Sequence, residues 1–123
     1  KHGTPKNFCI VDAAMNDLLR PALYQATMGI VPCLQRAGAT TLYDVVGPVC
    51  ESGDWLGRDR NLVVRPGDRL AVCSAGAYAM AMASNYNSRP RAAEVMVDGK
   101  QTHLIRERET VRELFAHERL IGS

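Results

Sequence analysis

The sequence predicts a mostly β domain, a barrel or sandwich with short helices and a C-terminal helix. Short runs of strand-forming residues recur at roughly ten-residue spacing, the pattern of all-β sandwiches and barrels. Turn signals separate the runs, at Gly38, at Pro66-Gly67-Asp68 and at Asp98-Gly99. No strand–helix–strand alternation and no internal repeat points to a parallel α/β architecture instead.

The elements follow in order. Residues 8–11 (FCIV) are an apolar, strand-forming run ended by Asp12. Residues 16–19 read as a turn or a single helical turn that Pro21 stops. Residues 23–31 read as a second strand, with Gly29 and Pro32 counting against it. Residues 41–49 (TLYDVVGPV) are strand-like, and the polar, glycine-containing residues 51–60 read as a loop. A brief extended piece at 62–64 precedes the Pro66-Gly67-Asp68 turn. Residues 69–73 (RLAVC) read as a buried strand, and the small apolar residues 76–83 as a short helix. Residues 93–97 and 101–106 alternate, and the Asp98-Gly99 pair between them is a strong hairpin signal. Thr110 can cap a final helix. Glu113 three residues later would complete a capping box, and Val111, Leu114 and Phe115 would form its apolar face.

With 123 residues, 46% of them apolar and 23% charged, the chain has the size and composition of one ordinary globular domain, residues 1–123. A net charge of +2 is too small to imply nucleic-acid binding, and acids interleave the Arg106, Arg108 and Arg112 group, so the arginines read as a mixed solvated surface. No apolar run approaches the ~20 residues that span a bilayer. No signal peptide is evident, and a cytoplasmic protein with reduced thiols is expected. The chain begins with Lys1, and the polar residues 1–7 read as a linker from something upstream, so a longer parent is expected. The four cysteines include no C-x-x-C pair, which argues against zinc and thioredoxin-like chemistry. Cys9 and Cys73, inside apolar runs, read as small buried hydrophobes, and Cys33 as structural.

Cys50 stands apart. In residues 47–54 (GPVCESGD) a strand ends and a glycine-containing loop presents a thiol, two carboxylates and a hydroxyl. A thiol with a reference pKa of ~8.5 can donate a proton at neutral pH, and loops at strand ends commonly display functional groups. The alternative is a polar turn with a half-buried cysteine, which composition alone favours. In residues 17–24 (DLLRPALY), Pro21 stiffens the chain between Arg20 and Tyr24. The guanidinium fork suits a carboxylate, and the phenol could complete a clamp. The alternative is an arginine paired with Asp17 or Asp12 at the surface. Tyr78 follows the small residues 74–77, where the backbone can approach a ligand closely, and its hydroxyl could reach a phosphate oxygen. Core packing is the simpler alternative. Residues 85–90 (NYNSRP) form a polar turn rich in hydrogen-bonding groups. His2, His103 and His117 are isolated and support no triad or metal site, and no phosphate-binding glycine motif is present.

Taken in order, residues 12–24 (DAAMNDLLRPALY), 46–54 (VGPVCESGD), 75–78 (AGAY), 84–90 (SNYNSRP) and the LIRERET run resemble the C-terminal domain of bacterial diaminopimelate decarboxylases over nearly the whole chain. More distantly, the GPVC and GAY blocks are similar to those of ornithine and arginine decarboxylases. The resemblance implies an alanine-racemase-like, fold type III enzyme that uses pyridoxal 5'-phosphate. Its N-terminal (β/α)8 barrel would carry the cofactor lysine, and its subunits would form a homodimer with shared active sites. It implies that Cys50 is the proton donor, inserted into the partner subunit's site. Glu51 would hold the distal ammonium of diaminopimelate, Arg20 and Tyr24 its distal carboxylate, and Tyr78 would lie beside cofactor and substrate. Ornithine-type enzymes typically place Asp where Glu51 stands. Ala14 and Ala79 replace glycines common in the family. Neither Lys1, Lys6 nor Lys100 lies in a setting that resembles the cofactor lysine, so the chain alone is expected to be inactive. Two other readings remain: a non-catalytic β-domain for binding or oligomerisation, and a decarboxylase of another basic amino acid.

Overall fold

The computed structural model describes residues 1–122, and among them the chain is mostly β. The central sheet has three strands in the order β1 (Phe8–Ile10), β3 (Thr41–Val46), β4 (Trp55–Leu62). β1 runs parallel to β3, with Phe8 opposite Asp44, and β4 runs antiparallel to it, with Thr41 opposite Leu62. β2 (Ile30–Pro32) and β5 (Leu70–Val72) form a separate antiparallel pair, and β6 (Glu94–Asp98) and β7 (Gln101–Arg106) a hairpin. Two short helices, α1 (Arg20–Tyr24) and α2 (Gly76–Met82), flank them. The three sheets do not join into a closed barrel among the described residues. No helix among them is long and apolar enough to cross a membrane.

The core lies where β3 and β4 meet β2 and the segment before α1. Leu18, Met28, Ile30, Tyr43, Val45, Leu56 and Leu62 are buried there together. The β-branched and aromatic side chains of β3 suit a pleated, half-buried surface. Register shifts in the β3–β4 ladder interrupt strict alternation, and Tyr43, Asp44 and Val45 are all buried in succession. Leu56 and Val45 are each 1% exposed. Burial of one such side chain contributes roughly 1.5–3 kcal/mol. Gly57 in β4 makes room for neighbouring side chains: a Cβ there would lie 2.7 Å from Ile30 Cδ1, which would have to shift.

Several sequence expectations need correction. Pro21 opens a helix rather than stopping one. It sits in the first turn of α1, where its missing N–H costs nothing. The strand expected over residues 23–31 is therefore only β2, after a helix end at which Gln25 takes a left-handed conformation (φ 55°). The loop expected over residues 51–60 becomes β4 from Trp55 onward, because pairing with β3 overrides its polar composition. The buried strand expected over residues 69–73 is the shorter β5, half-buried at most, and Cys73 and Cys33 are exposed; only Cys9 is partly buried. The C-terminal helix is a 3-10 segment, Val111–Phe115, although the capping box forms: Glu113 Oε2 accepts from the Thr110 amide at 2.6 Å and its hydroxyl at 2.7 Å.

The hairpin forms as expected, with Gly99 at positive φ (57°) supplying the turn. Every residue of β7 is exposed, and Val95, Met96, Val97, Leu104 and Ile105 all face solvent. The whole chain exposes 9128 Å². A compact monomer of this mass exposes roughly 6500 Å².

Candidate active site

The loop after β3 is pinned at its base and exposed at its tip. Asp54, 4% exposed, accepts the Met15 amide on Oδ1 at 2.7 Å and the Val49 amide on Oδ2 at 2.8 Å. The Gly47 amide donates to the Asp54 carbonyl at 3.1 Å. A Cβ at Gly47 would overlap the Asp54 carboxylate, so glycine is demanded there by contact. Beyond this anchor, Cys50, Glu51 and Ser52 are exposed.

Glu51 is held nonetheless. Tyr86 Oη donates to its Oε2 at 3.0 Å, and the Gly53 amide to its Oε1 at 3.3 Å. The Tyr86 hydroxyl, aided by that amide, keeps the carboxyl below its ordinary pKa, while the carboxylate raises the phenol's.

Tyr86 begins a 3-10 turn, Tyr86–Ser88, in which Asn87 and Ser88 both have positive φ (58° and 54°). This turn is stapled to residues 12–17. Arg89 donates to the Asp12 carbonyl at 2.5 Å and Asn16 Oδ1 at 3.0 Å, and lies 3.8 Å from Asp17. Asn16 Nδ2 donates to the Ser84 carbonyl at 3.3 Å, and the Ser84 amide returns to the Asn16 carbonyl at 3.0 Å. Residues 12–17, 47–54 and 84–89 thus close a ring of hydrogen bonds. Asn85 ties the ring to Glu109 at 2.5 Å, and the Arg91 amide and Asn85 together hold that carboxyl below its ordinary pKa.

A second cluster lies on the helices. The Arg20 guanidinium sits 5.2 Å from the centroid of the Tyr78 ring, joining the start of α1 to α2 by a cation–π contact. Tyr24 lies one helical turn beyond Arg20, the spacing that shares a face, and is exposed. The surface pair considered for Arg20 does not form: Asp17 faces Arg89, and Arg20 makes no ion pair among the described residues. Its donors are open to an external carboxylate. Neither Ala14 nor Ala79 has a positive φ, so alanine meets no strain at these positions.

Cys50 and Glu51 therefore share one loop tip, while Arg20 joins Tyr78 on α2 to α1, which also carries Tyr24. No hydrogen bond or ion pair among the described residues links the two groups. Asp54, Asn16, Tyr86 and Arg89 organise the site but were not singled out from the sequence. The polar block 85–90 was the signal for the last two; nothing in sequence separates Asp54 from the other loop carboxylates. The arrangement offers an accessible thiol, a carboxylate beside it, and a guanidinium over a phenol whose hydroxyl has no partner among the described residues.

Comparison with known proteins gives a consistent result. Residues 1–76 match the family model described as pyridoxal-dependent decarboxylase, C-terminal sheet domain. The chain is 59% identical over 121 residues to a diaminopimelate decarboxylase of Vibrio cholerae and 60% identical to that of Pseudomonas aeruginosa, covering 98% of this chain each time. It spans 29% of the length of these relatives. It also superimposes on a crystal structure of diaminopimelate decarboxylase from M. jannaschii in co-complex with L-lysine. There the TM-score is 0.92 and the identity 40%, over 98% of this chain and 28% of that one.

Proposed function

The chain belongs to the pyridoxal-dependent decarboxylases as their C-terminal sheet domain, and from that premise we propose that it is residues 1–123 of the C-terminal part of a diaminopimelate decarboxylase. The whole enzyme converts meso-2,6-diaminopimelate to L-lysine and CO2. One observation carries the reading. The blocks that resemble this family form the hydrogen-bonded ring and the helix pair, leaving Cys50, Glu51, Arg20, Tyr24 and Tyr78 accessible and complementary to a molecule with an amino-acid group at its far end.

Each residue has a role that its chemistry suits. Arg20, with Tyr24, takes the distal carboxylate of the substrate through charge-assisted hydrogen bonds. Glu51 takes the distal ammonium. Cys50 holds a proton on Sγ and delivers it to the substrate carbon from which CO2 departs. Pyridoxal phosphate, when bound, supplies the electron sink for that carbon. Within this chain Tyr78 fits beside it, through an exposed ring in contact with Arg20 and a hydroxyl that has no partner among the described residues. Lys6 is engaged by Asp44 at 2.8 Å and Lys100 sits at a hairpin tip; the family resemblance implies that the covalent lysine lies in an N-terminal (β/α)8 barrel of the whole enzyme.

The excess exposed surface supports a domain that docks on a barrel and on a second subunit in a homodimer. Between β1 and β5 runs a groove of about 890 Å3, lined in part by Phe8, Ile10, Val64, Leu70 and Val72. We read the sheets as portions of one sandwich or barrel that further strands of the polypeptide complete. The location is taken as cytoplasmic, in keeping with four unpaired thiols.

The test mixes two inactive full-length enzymes, one carrying Cys50→Ala and one lacking the barrel lysine. Heterodimers should regain decarboxylation of diaminopimelate, because each contains one complete site. Demonstrated heterodimers without recovery would remove Cys50 from the shared site. A full-length enzyme that releases CO2 from ornithine or arginine in preference would overturn the substrate assignment.

A further inference from the structure

Glu51 belongs to an exposed loop tip, and a side chain there ordinarily samples several rotamers. Its two oxygens are nonetheless engaged, by Tyr86 Oη and the Gly53 amide, with the Ser52 amide close by. The carboxylate retains lone-pair capacity for an ammonium group. The Gly53 contact lies within the same loop and moves with it. Among the described residues, only Tyr86 refers Glu51 to a different part of the fold.

That reference is firmly built. The Tyr86 amide donates to Ser84 Oγ at 3.3 Å, Asn85 Nδ2 donates to the Arg89 carbonyl at 3.1 Å, and Arg89 reaches Asp12 and Asn16. The two consecutive left-handed residues after Tyr86 cost conformational energy unless surrounding contacts hold them. The turn therefore presents one phenol, in one place, to one carboxylate.

We propose that Tyr86 is a positioning residue that fixes the Glu51 carboxylate for the distal ammonium of the substrate. The inference rests on the decarboxylase reading above. Tyr86 does not itself contact the substrate. It removes the freedom that Glu51 would otherwise lose on binding, which is preorganisation. Its hydroxyl also lowers the Glu51 pKa from its ordinary value.

The test uses Tyr86→Phe, Glu51→Gln and the double variant in the full-length enzyme loaded with pyridoxal phosphate. Tyr86→Phe deletes one hydroxyl from an exposed ring and leaves the fold intact, which circular dichroism checks. KM for diaminopimelate should rise about tenfold, the size of one hydrogen bond to a charged group, with the loss falling on KM rather than kcat. The acid limb of kcat/KM should move to higher pH, since the hydroxyl no longer favours the ionised carboxylate. The double variant should lose no more than Glu51→Gln alone. An unchanged KM and acid limb in Tyr86→Phe, or additive losses in the double variant, would overturn the proposal. Wild-type enzyme that fails to turn over diaminopimelate overturns instead the reading on which it rests.

Discussion

The buried carboxylate of Asp54 accepts the backbone amide of Met15 at 2.7 Å, so the loop that carries the thiol is fastened to the segment that leads into the arginine helix. A carboxylate that satisfies two amides in a buried place cannot be replaced by a smaller side chain without orphaning both. Asp54→Ala should therefore destabilise the chain by about 2–3 kcal/mol, read as a lowered urea midpoint at unchanged slope. Gly47→Ala should also destabilise, because the new methyl meets the same carboxylate. The two losses should fall short of additivity in the double variant.

Arg20→Ala in the full-length enzyme should lower kcat/KM for diaminopimelate by roughly 10- to 100-fold, from a charge-assisted contact worth ~1.5–3 kcal/mol. Analogues lacking the distal carboxylate should lose far less. Equal losses for both would show that Arg20 does not hold that group.

Cys50 should react with a thiol reagent faster than Cys9, whose burial raises its pKa and shields it. Cys33 and Cys73 are also exposed, so the comparison belongs in a Cys33→Ser/Cys73→Ser background, followed by peptide mass mapping. In the full-length enzyme, Cys50→Ala should slow turnover by ~10²–10⁴-fold, the range for a positioned proton donor.

Asp44 links stability to acidity. Burial pushes its pKa up, but the Lys6 ammonium and the Asp59 amide more than offset this and hold it below the ordinary value. A carboxyl whose pKa is depressed on folding stabilises the fold fully above its unfolded pKa of ~3.9 and loses that contribution as pH falls through the folded value. Asp68, Glu109 and Glu113 are shifted in the same direction. Thermal midpoints should fall steadily below about pH 4, and Asp44→Asn should flatten that fall. A variant as acid-sensitive as the wild type would show that the Lys6–Asp44 pair carries no linkage.

What could be read in advance follows a physical division. Local chemistry was legible: Asp98-Gly99 specified its hairpin, Thr110 and Glu113 their capping box, and the small residues of α2 a short helix. Elements whose conformation depends on distant partners were not. Trp55–Leu62 becomes a strand because β3 lies beside it; Pro21 is a different case, a helix-start residue whose local preference is equally compatible with ending the preceding turn. The same holds for the site. Cys50, Glu51, Arg20, Tyr24 and Tyr78 were picked out by residue type and family pattern, whereas Asp54 and Tyr86 gain meaning from contacts across the sequence, Tyr86 to a residue 35 positions away.

The excess of wet apolar surface has a thermal consequence. Heat capacity rises on unfolding because apolar groups become hydrated, and groups already hydrated in the folded chain add nothing to that rise. Val95, Met96, Val97, Leu104 and Ile105 are of this kind. The stability curve of the 123-residue chain should accordingly be less curved than that of a fully packed domain of the same length. Covering the hairpin by docking would restore the missing heat capacity and increase that curvature, so the curvature of the stability curve records how much of this surface has been covered.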